Sequence, residues 1–147
     1  MKQLLTIIFS ILFMGILSAQ QSNLKVDQDR LEKRIFDLAE FGLQTNGETE
    51  RVAFSDADIE ARNWVIKTLE DFGMEVKVDA AGNIIGTRKG SGASLKSIAF
   101  GSHIDRVPNG GNYDGCVGSM AALEVIETLN EHNISTKHPL EVIIFPN

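Results

Sequence analysis

The feature that most constrains the fold is the run from Ser97 to Phe145. A short apolar stretch, Ile98 to Phe100, empties into a polar, glycine-rich loop. The loop feeds a segment with helical spacing from Gly115 to Glu131, and Leu140 to Phe145 is again nearly all apolar. Strand, loop, helix and strand in that order predict a right-handed crossover between parallel strands. An uninterrupted apolar strand such as Leu140 to Phe145 is expected to be buried on both faces. The helix carries Val117, Met120, Leu123, Val125, Ile126 and Leu129 around much of its circumference, so it should be covered on more than one side. The chain therefore reads as α/β, and no internal repeat interrupts it.

The upstream elements fit that class. Leu31, Ile35, Leu38 and Ala39 recur at helical spacing, predicting a helix from Asp27, its cap, to Phe41. Gly42 to Phe54 is a polar loop marked by Asn46-Gly47. Ser55 with Asp58 resembles a capping pair opening a second helix, whose inner face is Ala61, Trp64, Val65, Thr68, Leu69 and Phe72, and Gly73 stands where a helix stops. From Met74 the period becomes two: Met74, Val76 and Val78 alternate with Glu75, Lys77 and Asp79, as in a half-buried strand. Ala80 to Asn83 is a turn, and Ile84 to Arg88 returns as the second strand of a hairpin. Gly90 to Ser94 is a surface loop without the Lys-Ser/Thr ending of a phosphate cradle.

A length of 147 residues suits one domain, and 43% hydrophobic with 23% charged residues is an ordinary globular balance. A net charge of −6 without Lys/Arg clusters argues against a nucleic-acid partner. The single cysteine, Cys116, rules out an internal disulfide and any multi-cysteine zinc site, and it reads as a small residue packed at a helix start. Residues 1–19 read as a signal peptide: Lys2 is the charged region, Leu4 to Leu17 the apolar core, and Ala19 the small residue at the cleavage point. The apolar run is shorter than the roughly 20 residues that span a bilayer. The expectation is export to the periplasm or the extracellular space without stable membrane insertion, leaving residues 20–147 as part of one domain.

The chemistry lies between strand and helix. His103, Asp105 and Asp114 are an imidazole and two carboxylates set beyond the carboxyl end of a strand, where open α/β sheets bind ligands. Imidazole nitrogen and carboxylate oxygen suit zinc, and a ligating histidine commonly donates its other N–H to a carboxylate, as a His-Xaa-Asp pair allows. Gly110-Gly111 lets the backbone bend and return Asp114 toward the imidazole. The same residues also admit a plain structural reading, with His103 hydrogen-bonded in place and Asp114 capping the helix at Gly115. The residues alone leave both readings open.

The string GSHIDRVPNGGNYDGCVGSMAALEVIETL, Gly101 to Leu129, resembles the first metal motif of zinc-dependent amidohydrolases of the aminoacylase and carboxypeptidase G clan. Within that clan it is closest to the N-carbamoyl-amino-acid hydrolase, allantoate amidohydrolase and ureidopropionase branch. RVAFSDAD (Arg51 to Asp58) and VDAAGNIIG (Val78 to Gly86) look like early motifs of that branch. The resemblance implies the N-terminal part of a zinc-peptidase-like catalytic domain, with a mixed sheet flanked by helices and cut before the second metal motif. It implies His103 as a terminal ligand of one metal, Asp114 as the carboxylate bridging two, and Asp105 as the catalytic-site partner that orients His103. The implied cofactors are two divalent ions, zinc first, with Mn, Co or Ni as alternatives. The implied substrate is a small molecule with an N-carbamoyl, ureido or N-acyl amide bond, and the implied assembly a homodimer. It further implies that Glu-Glu, a base and a ligand, follows Asn147, so that the 147 residues by themselves should be inactive and bind zinc weakly. His132 and His138 match no ligand and read as solvated. An aminopeptidase or dipeptidase of the same clan, or a non-catalytic binding module, are the alternative readings.

Overall fold

The computed structural model of the chain describes residues 24–92 and 94–147, and the signal-peptide reading of residues 1–19 lies outside them. The chain forms α1 (Gln28–Ala39), α2 (Asp56–Asp71), β1 (Glu75–Val78), β2 (Ile84–Arg88), β3 (Ile98–Ser102), α3 (Cys116–Glu131) and β4 (Leu140–Ile144). No helix among the described residues is long and apolar enough to cross a membrane.

The local chemistry is the one expected for α1 and α2. Asp27 accepts the Arg30 amide at 3.0 Å and caps α1, while Ser55 Oγ accepts the Asp58 amide at 3.3 Å and caps α2. Asp58 replies to the amide of Phe54 rather than to Ser55 itself, 2.9 Å away. Gly73 ends α2 with φ of +76°.

The sheet is mixed, in the order β1-β2-β4-β3. β1 and β2 form the hairpin, β2 runs antiparallel to β4, and β3 runs parallel to β4 with Ile98 opposite Leu140 and Ser102 opposite Ile144. One face is covered: α2 lies over β1 and β2, α3 over β4 and β3, and α1 packs on α3. Ile84, Val142 and Ile144 point to that side and join Leu69, Met120, Leu123 and Ile126 in the core.

Two expectations need correction. Leu140 to Phe145 is not buried on both faces: Leu140, Val142 and Ile144 are buried, Glu141 and Ile143 are half-buried, and Phe145 is 41% exposed. All three helices sit on one side of the sheet, so the alternate residues of β4 have no described layer above them. β3 is an edge strand, and Ile98 is 53% exposed. In β1, Val76 is half-buried and Val78 is exposed, because the opposite sheet edge runs past the end of α2's cover. α3 is covered on more than one side as expected, by the sheet and by α1, while Val117 and Val125 face solvent.

A buried polar cluster ties α1 to α3. Glu124 is fully buried and accepts from both arms of the Arg30 guanidinium (2.8 and 2.7 Å), from Arg34 (3.1 Å), from the Asp27 amide (2.9 Å) and from the Thr128 hydroxyl (3.0 Å). Burial alone would raise its carboxyl, but these donors outweigh it and hold it down to about 2.

Candidate metal centre

The carboxyl ends of β3 and β4 face a small cavity of about 100 Å³ lined by His103, Asp105, Arg106, Asp114, Asn147 and the Gly110-Gly111 bend. The space is roomy and polar enough for a small cation and water.

His103 follows directly on the last residue of β3. Its Nδ1 lies 3.0 Å from Asp105 Oδ1, and both side chains are largely shielded. A carboxylate only accepts, so Nδ1 carries the proton, and in the neutral ring Nε2 keeps its lone pair. No hydrogen-bond partner for Nε2 occurs among the described residues. Between these two residues Ile104 turns the other way and is 1% exposed in the core. This alternation puts the imidazole and the carboxylate on one side of the segment. The Ser119 hydroxyl of α3 donates to the His103 carbonyl at 2.8 Å, and the Phe145 ring lies tilted against the imidazole with centroids 6.4 Å apart.

The Asp114 carboxylate does not cap the helix. α3 begins at Cys116, its cap residue is Gly115, and no side-chain capping bond is made. The Asp114 carbonyl instead accepts the Cys116 amide at 2.6 Å across Gly115, whose φ of +64° and ψ of −45° make a three-residue γ-turn. A Cβ at position 115 would stand 2.2 Å from His103 Nε2. The missing side chain is thus the floor on which the imidazole rests, and the turn leaves the Asp114 carboxylate free at the cavity edge.

One imidazole lone pair and one uncommitted carboxylate fit the donor chemistry of a divalent ion, and the Gly115 cradle fits the ring that would carry it. They are two ligands, where a catalytic zinc takes about three from protein. No cluster of three or more His, Cys, Asp or Glu side chains able to hold a metal occurs among the described residues. His132 and His138 lie elsewhere, bonded through Nδ1 to the carbonyls of Thr128 and Lys96.

Two contributors were not singled out from the sequence. Arg51, 1% exposed, reaches under the loop to the Ile104 carbonyl (2.8 Å) and to the carbonyls of Leu38 and Phe41 (2.7 and 2.9 Å), with Cys116 Sγ 3.6 Å away. Burial pushes the Arg51 guanidinium down from its ordinary value and the Cys116 thiol up, which marks Cys116 as an inert, packed thiol. Arg106 pins the bend by donating to Asn112 and to the Gly110 carbonyl. An arginine in a polar loop gives no sequence signal of burial; the Asp114-Gly115 pair did signal a turn, though not its contact with the imidazole.

No profile of a known protein family matches the chain. Individual relatives do. An N-carbamoyl-L-amino acid amidohydrolase of Geobacillus stearothermophilus is 38% identical over 120 residues, 82% of this chain and 29% of that protein. A ureidoglycolate hydrolase of Oryza sativa subsp. japonica is 40% identical over 128 residues, 87% of this chain and 26% of that protein. Among solved structures, a hydantoinase/carbamoylase family amidase from Burkholderia ambifaria superposes with a TM-score of 0.79 at 39% identity, covering 82% of this chain and 30% of that one. The chain thus spans less than a third of the length of each of these three proteins.

Proposed function

We propose, from the premise that the chain belongs to the hydantoinase/carbamoylase amidohydrolases, that His103 and Asp114 hold divalent metal for hydrolysis of a linear amide C–N bond. The substrate class is an N-carbamoyl, ureido or N-acyl amino acid, in keeping with what the relatives' names say of them. The observation that carries the reading is the His103 imidazole, oriented by Asp105 at 3.0 Å, sharing one cavity with the free carboxylate of Asp114. Bound there, the metal would supply a polarised scissile carbonyl and a water of lowered pKa.

The chain's own residues do the rest of the preparation. Asp105 holds the Nδ1 proton, so His103 offers Nε2 and resists rotation. Gly115 seats the ring, and the γ-turn aims Asp114 without committing its oxygens to the helix. Buried Ile104 and Cys116 close the floor to water from the core side. The donor pair favours zinc, with Mn, Co or Ni as alternatives, and Asp114 would be the carboxylate that serves a second ion as well. With two ligands on the described residues, we expect the chain to bind zinc weakly. Lys2, the apolar run and Ala19 support export with cleavage at Ala19; an intact Met1 on the mature protein would count against it.

Titrating Zn²⁺ while following the three imidazoles by NMR tests the site. His103 should shift and His132 and His138 should not; three equal responses, or none, would leave the binding module as the better account. A chimera joining residues 24–147 to the remainder of the Geobacillus relative tests the reaction. It should release ammonia from an N-carbamoyl amino acid and lose that activity with His103→Ala, whereas dipeptide cleavage would favour the aminopeptidase reading.

A further inference from the structure

The geometry points to Arg51 as the positioning residue of this site: one buried side chain and its own peptide fix both backbone torsions of Asp105 and thereby the tautomer of His103. This rests on the metal-site reading for its purpose, but not for its geometry. Arg51 Nε donates to the Ile104 carbonyl at 2.8 Å, which fixes the peptide entering Asp105. The Arg51 carbonyl accepts the Arg106 amide at 2.7 Å, the bridge that fixes the peptide leaving Asp105. Rotating either peptide would swing the carboxylate off Nδ1. The remaining donors extend the grip: Nη1 to the carbonyls ending α1, and Nη2 toward Cys116 Sγ, beside the turn that presents Asp114.

What separates this from an ordinary buried arginine is the choice of partners. Arg51 makes no salt bridge among the described residues, although Asp58 is close enough to feel its charge. A buried guanidinium is costly unless its donors are satisfied, and here main-chain carbonyls and a thiol satisfy them. The planar fork is needed because it meets carbonyls from separate segments at fixed angles, which a lysine ammonium on a flexible stem does not do.

The test is Arg51→Lys in the full chain, read by the two-bond ¹H–¹⁵N spectrum of His103, which reports which ring nitrogen carries the proton. If Arg51 positions Asp105, the Nδ1–H form loses its dominance and Zn²⁺ affinity falls on the order of 10-fold or more while the cooperative melt is retained. Leu69→Ala, which opens the core beneath β2, is the control for mere destabilisation and should leave the His103 spectrum unchanged. A wild-type His103 spectrum in Arg51→Lys, or the same change in Leu69→Ala, overturns the proposal. Should Arg51→Lys not fold, the unmutated chain decides. Zn²⁺ that moves His103 must also move the Arg51 Nε–H resonance, and an unmoved Arg51 overturns it. If Zn²⁺ leaves His103 unmoved, the metal reading fails, and the tautomer comparison still judges Arg51.

Discussion

Gly115→Ala tests the cradle most directly, because the structure separates its two costs. The first is backbone: φ of +64° is a conformation that L-residues adopt at a cost of about 1–2 kcal/mol. The second is contact: the new Cβ would lie 2.2, 2.3 and 2.5 Å from Nε2, Cε1 and Cδ2 of His103, more than an ångström inside normal separation, so the ring or the start of α3 must move. Gly73→Ala isolates the first cost, since Gly73 has φ of +76° and nothing within 4 Å of the added carbon. Urea denaturation should therefore show Gly73→Ala losing about 1–2 kcal/mol. Gly115→Ala should lose about 2–4 kcal/mol, the excess coming from overpacking. Zn²⁺ titration should show weakened binding for Gly115→Ala and unchanged binding for Gly73→Ala. Equal destabilisation of the two variants, with His103 keeping its wild-type chemical shifts in both, would refute the cradle.

The other predictions follow from individual contacts. Glu124 has its carboxyl lowered from 4.5 to about 2, so the folded state holds fewer protons than the unfolded state between those values. Its stabilisation, about 3 kcal/mol, is complete above pH 4.5 and is lost as pH falls toward 2; Glu124→Gln should flatten that limb of urea midpoints against pH, and an unchanged limb would contradict the assignment. Asp105→Asn should keep the fold but weaken Zn²⁺ binding on the order of 10- to 100-fold by calorimetry. Asp114→Asn should leave thermal stability of α3 unchanged, since no capping bond is lost, yet reduce Zn²⁺ binding; a drop in Tm typical of a lost cap would restore the capping role. Gly101→Ala should break the β3–β4 pairing, because the new carbon would sit 1.9 Å from the Ile143 carbonyl oxygen, and hydrogen exchange at the β3 amides would report it.

The elements were legible where periodicity reflects one covered face. Ala61, Val65 and Leu69 announced α2 and its side, and the period-two hairpin from Met74 to Arg88 was placed within a residue at each strand. Burial of β4 was misread because its apolar run reports what the strand can bury, whereas the number of layers over it is a property of other segments. Ile143 and Phe145 are therefore apolar and partly open on the described residues. The same limit applies to Val78, which continues the alternation of its strand past the edge of the helix that would cover it.

The site divides in a similar way. His103 and Asp105 could be paired from spacing alone, because residues two apart on an extended segment share a side, and the structure brings them to 3.0 Å. Asp114 was ambiguous for a good physical reason: a carboxylate just before a helix serves a cap or a ligand equally well. Only the γ-turn, which moves the cap position to Gly115, removes the first option. Arg51, Arg34 and Glu124 were beyond reach because hydropathy places charged side chains outside, and each is buried through partners far away in sequence: Ile104 for Arg51, Glu124 for Arg34. Such residues are held in place by distant carbonyls and carboxylates, and they in turn fix the loops that meet there. The most constrained part of the site is therefore the part with the weakest sequence signal, and the fold becomes chemistry where Arg51 holds the peptides on either side of Asp105.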